Sequence, residues 1–182
     1  MKHLLFVFAA GAALFAQQPA SEKPMDPKSC PMHGEHMKAE TIADQRFAEM
    51  QERGNRSMGF DQSKTTHHFR ALQDGGAIEV TVNDASDSAN LAAIRSHLAR
   101  IARQFTAGDF TSPMLTHGEI PPGAAEMQKL KDKIAYTYDE LPGGARVKMT
   151  TGDSRSLAAV HKFLAYQINE HRTGDVKSSH QH

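Results

Sequence analysis

Cys30-Pro31-Met32-His33-Gly34-Glu35-His36-Met37 puts five soft or borderline metal donors into eight consecutive positions: Cys30, Met32, His33, His36 and Met37. Thiolate and thioether sulfur select Cu(I), while imidazole also suits Cu(II) and Zn. The chemistry such a segment offers is metal capture, with copper the first candidate and zinc the second. The whole chain leans the same way, with 11 His and 9 Met against one Cys. A lone Cys excludes an intramolecular disulfide. The bland alternative is an arm that carries these residues by coincidence.

A second group is Thr65-Thr66-His67-His68. Neighbours on a strand point to opposite faces, so His67 shares the core face with Phe69 and His68 points away. The two cannot share one ion. The core-side His67 can meet His161, which flanks a helix stripe. A set of His67, His161 and His117 is therefore a second candidate metal site. His171 lies ten residues beyond His161 and is displaced around that helix. The alternative is a hydrogen-bonded core histidine and ordinary surface histidines. Catalytic templates are absent: no nucleophile elbow, phosphate loop, dinucleotide fingerprint or zincin helix is present. Gly75-Gly76 and Gly143-Gly144 read as hairpin turns. Asp109 and Asp175 each follow a helix-stopping Gly and read as structural caps.

These residues sit in a 182-residue chain with 21 basic and 21 acidic side chains. That balance and the low aromatic share argue against nucleic acid or an anionic membrane as partner. Leu4 to Ala16 is an apolar run after Lys2 and His3, too short to span a bilayer. It reads as a signal peptide over residues 1–16. Cleavage is placed after Ala16, with Leu14 and Ala16 preceding the cut and Ala20 as the other choice. An uncleaved anchor and a lipid on Cys30 are the alternatives. The expected location is periplasmic or secreted. Residues 17–57 read as a flexible Met/His-containing arm. Within it, Lys38 to Arg53 reads as a weakly amphipathic helix, with Ile42, Phe47 and Met50 as its apolar points and little to stabilise it.

Residues 58–175 are the expected folded part, and 176–182 a tail. Thr65 to Val82 predicts a hairpin around Asp74-Gly75. Leu91, Ile94, Leu98, Ile101 and Phe105 then make one helix stripe, stopped by Gly108. The pattern returns. Ile134, Tyr136 and Tyr138 alternate, Pro142-Gly143-Gly144 turns the chain, and Val147 and Met149 continue inward. Leu157, Val160, Leu164 and Ile168 follow, stopped by Gly174. The helical segments match at an offset of 66. Asp87-Ser88 meets Asp153-Ser154, Leu91-Ala92-Ala93 meets Leu157-Ala158-Ala159, Leu98-Ala99 meets Leu164-Ala165, and Gly108-Asp109 meets Gly174-Asp175. Two unrelated helices of ordinary Leu/Ala content are the alternative. The duplication predicts an α+β fold: two ββα units, halves 65–109 and 133–175, in a four-stranded antiparallel sheet with two helices on one face. The other sheet face is left open to a partner or to a second copy in a homodimer. Thr111 to Pro122 is the irregular connection, and Gly123 to Lys133 a short helix.

Cys30-Pro31-Met32-His33 resembles the short metal-binding segments of periplasmic copper-efflux subunits and copper-pump ATPases. Those continue with Pro and follow a Tyr, whereas here Gly34 follows and Lys28-Ser29 precede. Met58-Gly59-Phe60-Asp61, Lys64 to Phe69, Gly75 to Val80, Gly108-Asp109-Phe110, Pro121-Pro122-Gly123, Gln167-Ile168 and His171 to Asp175 resemble an uncharacterised family of small exported bacterial proteins. The resemblance covers about residues 57–175. Some members carry the name aspartate carbamoyltransferase. That enzyme needs two α/β domains and a phosphate-binding Ser-x-Arg-Thr, and this chain has neither. The sequence points first to a periplasmic copper-binding buffer, sensor or carrier. The alternative is a non-metal module that holds an envelope protein through the open sheet face or the 111–122 loop. An enzyme using His67 and His161 is a third class.

Overall fold

The computed structural model describes residues 31–177. The chain divides into two units, Met1–Lys38 and Ala39–His182. The second contains the sheet and the helices packed on it. Its elements are the C-terminal part of helix α1 (Pro31–Met58), strands β1 (Thr65–Leu72) and β2 (Gly75–Val82), helices α2 (Ser88–Ala107), α3 (Thr111–His117) and α4 (Ala124–Lys129), strands β3 (Ala135–Leu141) and β4 (Gly144–Thr150), and helix α5 (Ser154–Glu170). All strand pairings are antiparallel, in the order β1-β2-β4-β3. The fold is α+β, with a duplicated ββα unit and one core shared by α2, α5 and the inner face of all four strands.

Each half obeys the same local rules. Asp87 accepts from Asn90 N–H at the start of α2, and Asp153 accepts from Ser156 N–H at the start of α5. A carboxylate at the N-cap satisfies a helix donor that has no intrahelical partner. The helices then exchange partners. α2 lies chiefly on β3 and β4, and α5 on β1 and β2, so each helix covers the other unit's hairpin. Arg95 of α2 donates to the carbonyls of Leu141 and Gly144. His161 of α5 donates Nε2–H to the carbonyls of Leu72 (2.9 Å) and Gly75 (3.0 Å). Arg95 and His161 are the same position of the two helices, 66 apart. Leu72 and Gly75 match Leu141 and Gly144 at an offset of 69.

The central pairing has the same symmetry. Ile78 pairs with Val147, its own counterpart, and Gly75↔Thr150 mirrors Thr81↔Gly144. Val82 N–H donates to the Gly143 carbonyl and Thr151 N–H to the Asp74 carbonyl. A Cβ on Gly75 would strike the Met149 carbonyl, and one on Gly144 the Val80 carbonyl. Both positions therefore demand glycine because backbones cross there.

Three expectations change. The span read as an arm is helical from Pro31, and the second unit begins at Ala39. Met50 is buried in it at 2% exposure. Arg53 donates to the carbonyls of Thr116 and His117, anchoring the helix to the end of α3. Those tertiary contacts supply what the weak amphipathic pattern lacks. Thr111–His117, expected irregular, is a helix ended by Gly118 at φ 75°. Finally, α5 stops at Glu170, before Gly174. Arg172 takes φ 52°, while α2 runs on to Ala107 as the duplication predicts.

The open sheet face carries Arg70, Glu79, Arg146 and Asp139, one from each strand. They alternate in sign and are joined by ion pairs at 3.3, 3.6 and 3.0 Å. No helix among the described residues is long and apolar enough to cross a membrane.

Candidate functional site

Under α2, α3 and the end of α5 lies a cavity of about 50 Å³. Its walls are mostly apolar, with Phe69, Val80, Leu98 and Phe163 among them. Into that setting the fold brings His67 from β1, His97 from α2, His117 from α3, and His171 just beyond α5. The His67 and His171 rings stack with centroids 5.1 Å apart. His171 meets His117 edge-on at 5.2 Å. Phe60 bridges His67 and His97, at 5.8 and 5.7 Å.

Each ring is positioned differently. His97 accepts from Arg100 at Nδ1 (2.8 Å), so its proton sits on Nε2. His117 donates from Nε2 to Oε1 of Gln167 (2.9 Å), which leaves Nδ1 as a bare lone pair. That Nδ1, the Nε2 of His67 and the Nε2 of Gln167 are shut off from solvent without a hydrogen-bond partner. His97 and His117 are buried; His67 and His171 keep a partly exposed edge. Burial, with neighbouring positive charge, holds all four neutral. His67 is pushed down to about 4 and His97 to about 3, His117 is lowered, and His171 lies well below the ordinary imidazole range.

The duplication supplies an internal control. At matching positions the other half carries Tyr136 for His67, Phe163 for His97, Phe105 for His171 and Ile101 for Gln167. Phe105 and Tyr136 pack edge-on at 5.7 Å, where His171 and His67 stack at 5.1 Å in their half. An aromatic side chain thus fills each of the three histidine places, and Ile101 the place of Gln167, in the same architecture. A buried polar atom left unpaired costs about 1–3 kcal/mol relative to a satisfied one. Tyr136 leaves its hydroxyl buried and without a protein partner too, so what sets the histidine half apart is the number of such atoms, three nitrogens against one hydroxyl. Buried nitrogens of this kind call for a partner, whether a water, an ion or a ligand.

His67 faces the core, and His68 points outward to Oδ1 of Asp175 at 2.9 Å. His117 reaches the same cavity as His67. His161 does not; it holds the β1–β2 hairpin, as Arg95 holds the other. His97, His171 and Gln167 are functional candidates that the residue spacing did not single out. His97 lies one step from Leu98 in the helix stripe, and the match to Phe163 was the signal for it. Asp175 also accepts Phe69 N–H (2.9 Å), closing a donor on the edge strand. Cys30 lies outside the described residues. Met32, His33, His36 and Met37 fall in helix α1 where side chains are outside them.

A wider cleft of about 560 Å³ adjoins through His117, which lines both spaces. Arg46, Arg53, Glu119 and Arg172 are on its walls. Arg172 grips Asp44 (2.6 Å) and the Ala43 carbonyl (2.9 Å) and lies 4.5 Å over the Phe47 ring. The non-helical φ of Arg172 thus serves a clamp on α1, next to His171. Among the described residues no group of three or more His, Cys, Asp or Glu stands ready to hold a metal ion. Compared with models of protein families, with curated proteins and with solved structures, the chain has no match.

Proposed function

We propose that this protein binds a transition-metal ion, copper being the first to test, and acts outside the cytoplasm as a buffer, sensor or carrier. The observation that carries the reading is the pair of buried imidazole nitrogens, Nε2 of His67 and Nδ1 of His117, that line one cavity without partners. A metal ligand must be a neutral imidazole with a free lone pair, and burial holds both rings neutral. The cavity has room for an ion with a few waters and none for an organic cofactor. The Cys30 to Met37 segment adds a second set of soft donors for capture.

The test is thermal unfolding of the full chain with Cys30, His33 and His36 replaced, with and without copper or zinc. An ion held in the domain stabilises the fold by RT ln(1 + [L]/Kd), about 2.7 kcal/mol at a hundredfold excess over Kd. A metal-dependent rise in Tm that disappears in His67→Tyr is expected. An unchanged Tm at every metal concentration contradicts the reading.

One observation favours a second reading, an interaction module. Met114, Leu115 and Ile120 are exposed at 37, 55 and 64%, all within the 111–122 segment. The sheet face is a poorer candidate, because its four charges already satisfy one another. A pull-down that survives chelator and fails with Leu115→Lys supports this reading.

A further inference from the structure

The sheet ends in two edges, and the duplication makes them counterparts, β1 on one side and β3 on the other. In a two-residue hairpin the residue before the turn bonds across the hairpin, and so does every second residue back from it. The residues between turn N–H and C=O outward: His67 and Phe69 on β1, Tyr136, Tyr138 and Glu140 on β3. The β1 edge is covered at its centre. Asp175 accepts Phe69 N–H at 2.9 Å, and the Phe69 ring lies 5.2 Å from His171 with 3% exposure.

The β3 edge lacks that cover. Tyr138 matches Phe69, yet no described residue bonds its N–H, and its ring stays partly exposed where it packs on the core. Asp109, the counterpart of Asp175, is taken up by Thr111 N–H and the Gln104 amide. No residue of β3 is buried. A row of open backbone donors and acceptors beside half-covered rings is a template for another strand. We infer that β3 pairs antiparallel with β3 of a second copy, about a two-fold axis at Thr137, so that two sheets join into one.

The side chains of β3 select the partner and the register. In a two-fold pairing one residue faces itself. With Thr137 at that place, two hydroxyls meet on the open face, and Tyr136 of each copy meets Tyr138 of the other on the core face. Thr–Thr and aromatic cross-strand pairs are both favourable. Asp139 then faces Ala135 and lies diagonal to Lys133, while Glu140 faces Ile134. An axis at Tyr136 sets Asp132 against Glu140, one at Tyr138 sets Tyr136 against Glu140, and one at Asp139 sets two carboxylates together. The acids do not repel a second copy. Asp139 is paired with Arg146 at 3.0 Å and Glu140 with Arg95 at 3.2 Å. The pairs are self-complementary, which favours a second copy over a foreign strand.

The test is sedimentation of the full chain over a range of concentrations, beside Thr137→Lys. Thr137 is exposed, so the lysine leaves the fold intact, which thermal unfolding checks. The expected result is a concentration-dependent dimer in the parent, weakened about tenfold or more in Thr137→Lys, because like charges directly opposite repel. Cross-linking reads the register. In a Cys30→Ser background, Thr137→Cys is expected to join two copies by a disulfide on mild oxidation, since the facing Cα atoms of such a pair lie about 4.5 Å apart. Ala135→Cys, offset from its own copy, is expected not to. A parent that stays monomeric at every concentration overturns the inference and leaves the edge to a foreign strand. So does a dimer that Thr137→Lys leaves equally tight, or one that Ala135→Cys links as readily as Thr137→Cys.

Discussion

The two halves of this domain share strands, caps, hairpin glycines and the helix contacts that hold the hairpins, yet their cores differ at one end. Where α2 meets β3, Phe105 packs on Tyr136, whose hydroxyl is, among the described residues, the one buried polar atom there without a partner. Where α5 meets β1, His171 packs on His67 beside His97 and His117. Architecture is held constant between them, so the difference isolates chemistry. The aromatic half fills its place with phenyl rings and one tyrosine. The histidine half leaves unpaired nitrogens in a cavity and unwinds the last turn of α5.

The largest predicted effect breaks the aromatic half. Phe105→Ala leaves a void in a fully buried place and should cost about 3–5 kcal/mol in denaturant unfolding.

Acid should reveal the histidine half. In the unfolded chain histidine titrates near 6.5. In the fold His67 and His97 remain neutral down to about 4 and 3. Folded values below unfolded ones mean that this stabilising difference is complete above 6.5. It is lost as pH falls from there toward the folded values. Each histidine should remove about 2 kcal/mol by pH 5. His67→Tyr with His97→Phe, the residues of the other half, should flatten the stability profile between pH 7 and 5. An equally steep profile in that variant would show that the acid sensitivity lies elsewhere.

Smaller changes sharpen the comparison. His171→Phe should leave unfolding free energy unchanged or raise it by about 1 kcal/mol, since it restores the partner half's residue beside existing space. Arg95→Ala and His161→Ala should each cost about 1 kcal/mol, one hairpin anchor apiece, and leave metal uptake intact. Loss of metal in His161→Ala alone would restore it as a ligand.

Much of the fold was legible in the residues. The Asp74-Gly75 turn, the two apolar stripes and the 66-residue match carry the topology, because turn chemistry and periodicity act locally. The exchange of helices between hairpins was not legible, since either pairing buries the same stripes. A weak helix over Lys38 to Arg53 was legible, but not its anchoring in the fold, because Arg53 and Met50 gain their partners only in the tertiary structure. Of the site, His67 facing inward followed from strand alternation. His171 was set aside because a regular helix would rotate it away, and the early end of α5 is what turns it back. His161 sits on the flank of a helix stripe, as a ligand would, but Leu72 and Gly75 place free carbonyls within its reach.

The central claim is that the histidine half gives up core stability for a ligand. The most direct measurement is copper uptake under reducing conditions by His67→Tyr beside the parent chain, with unfolding free energy measured on both. The account predicts equal or greater stability in His67→Tyr and loss of the copper equivalent bound within the domain. Undiminished uptake in a stably folded His67→Tyr protein would contradict it.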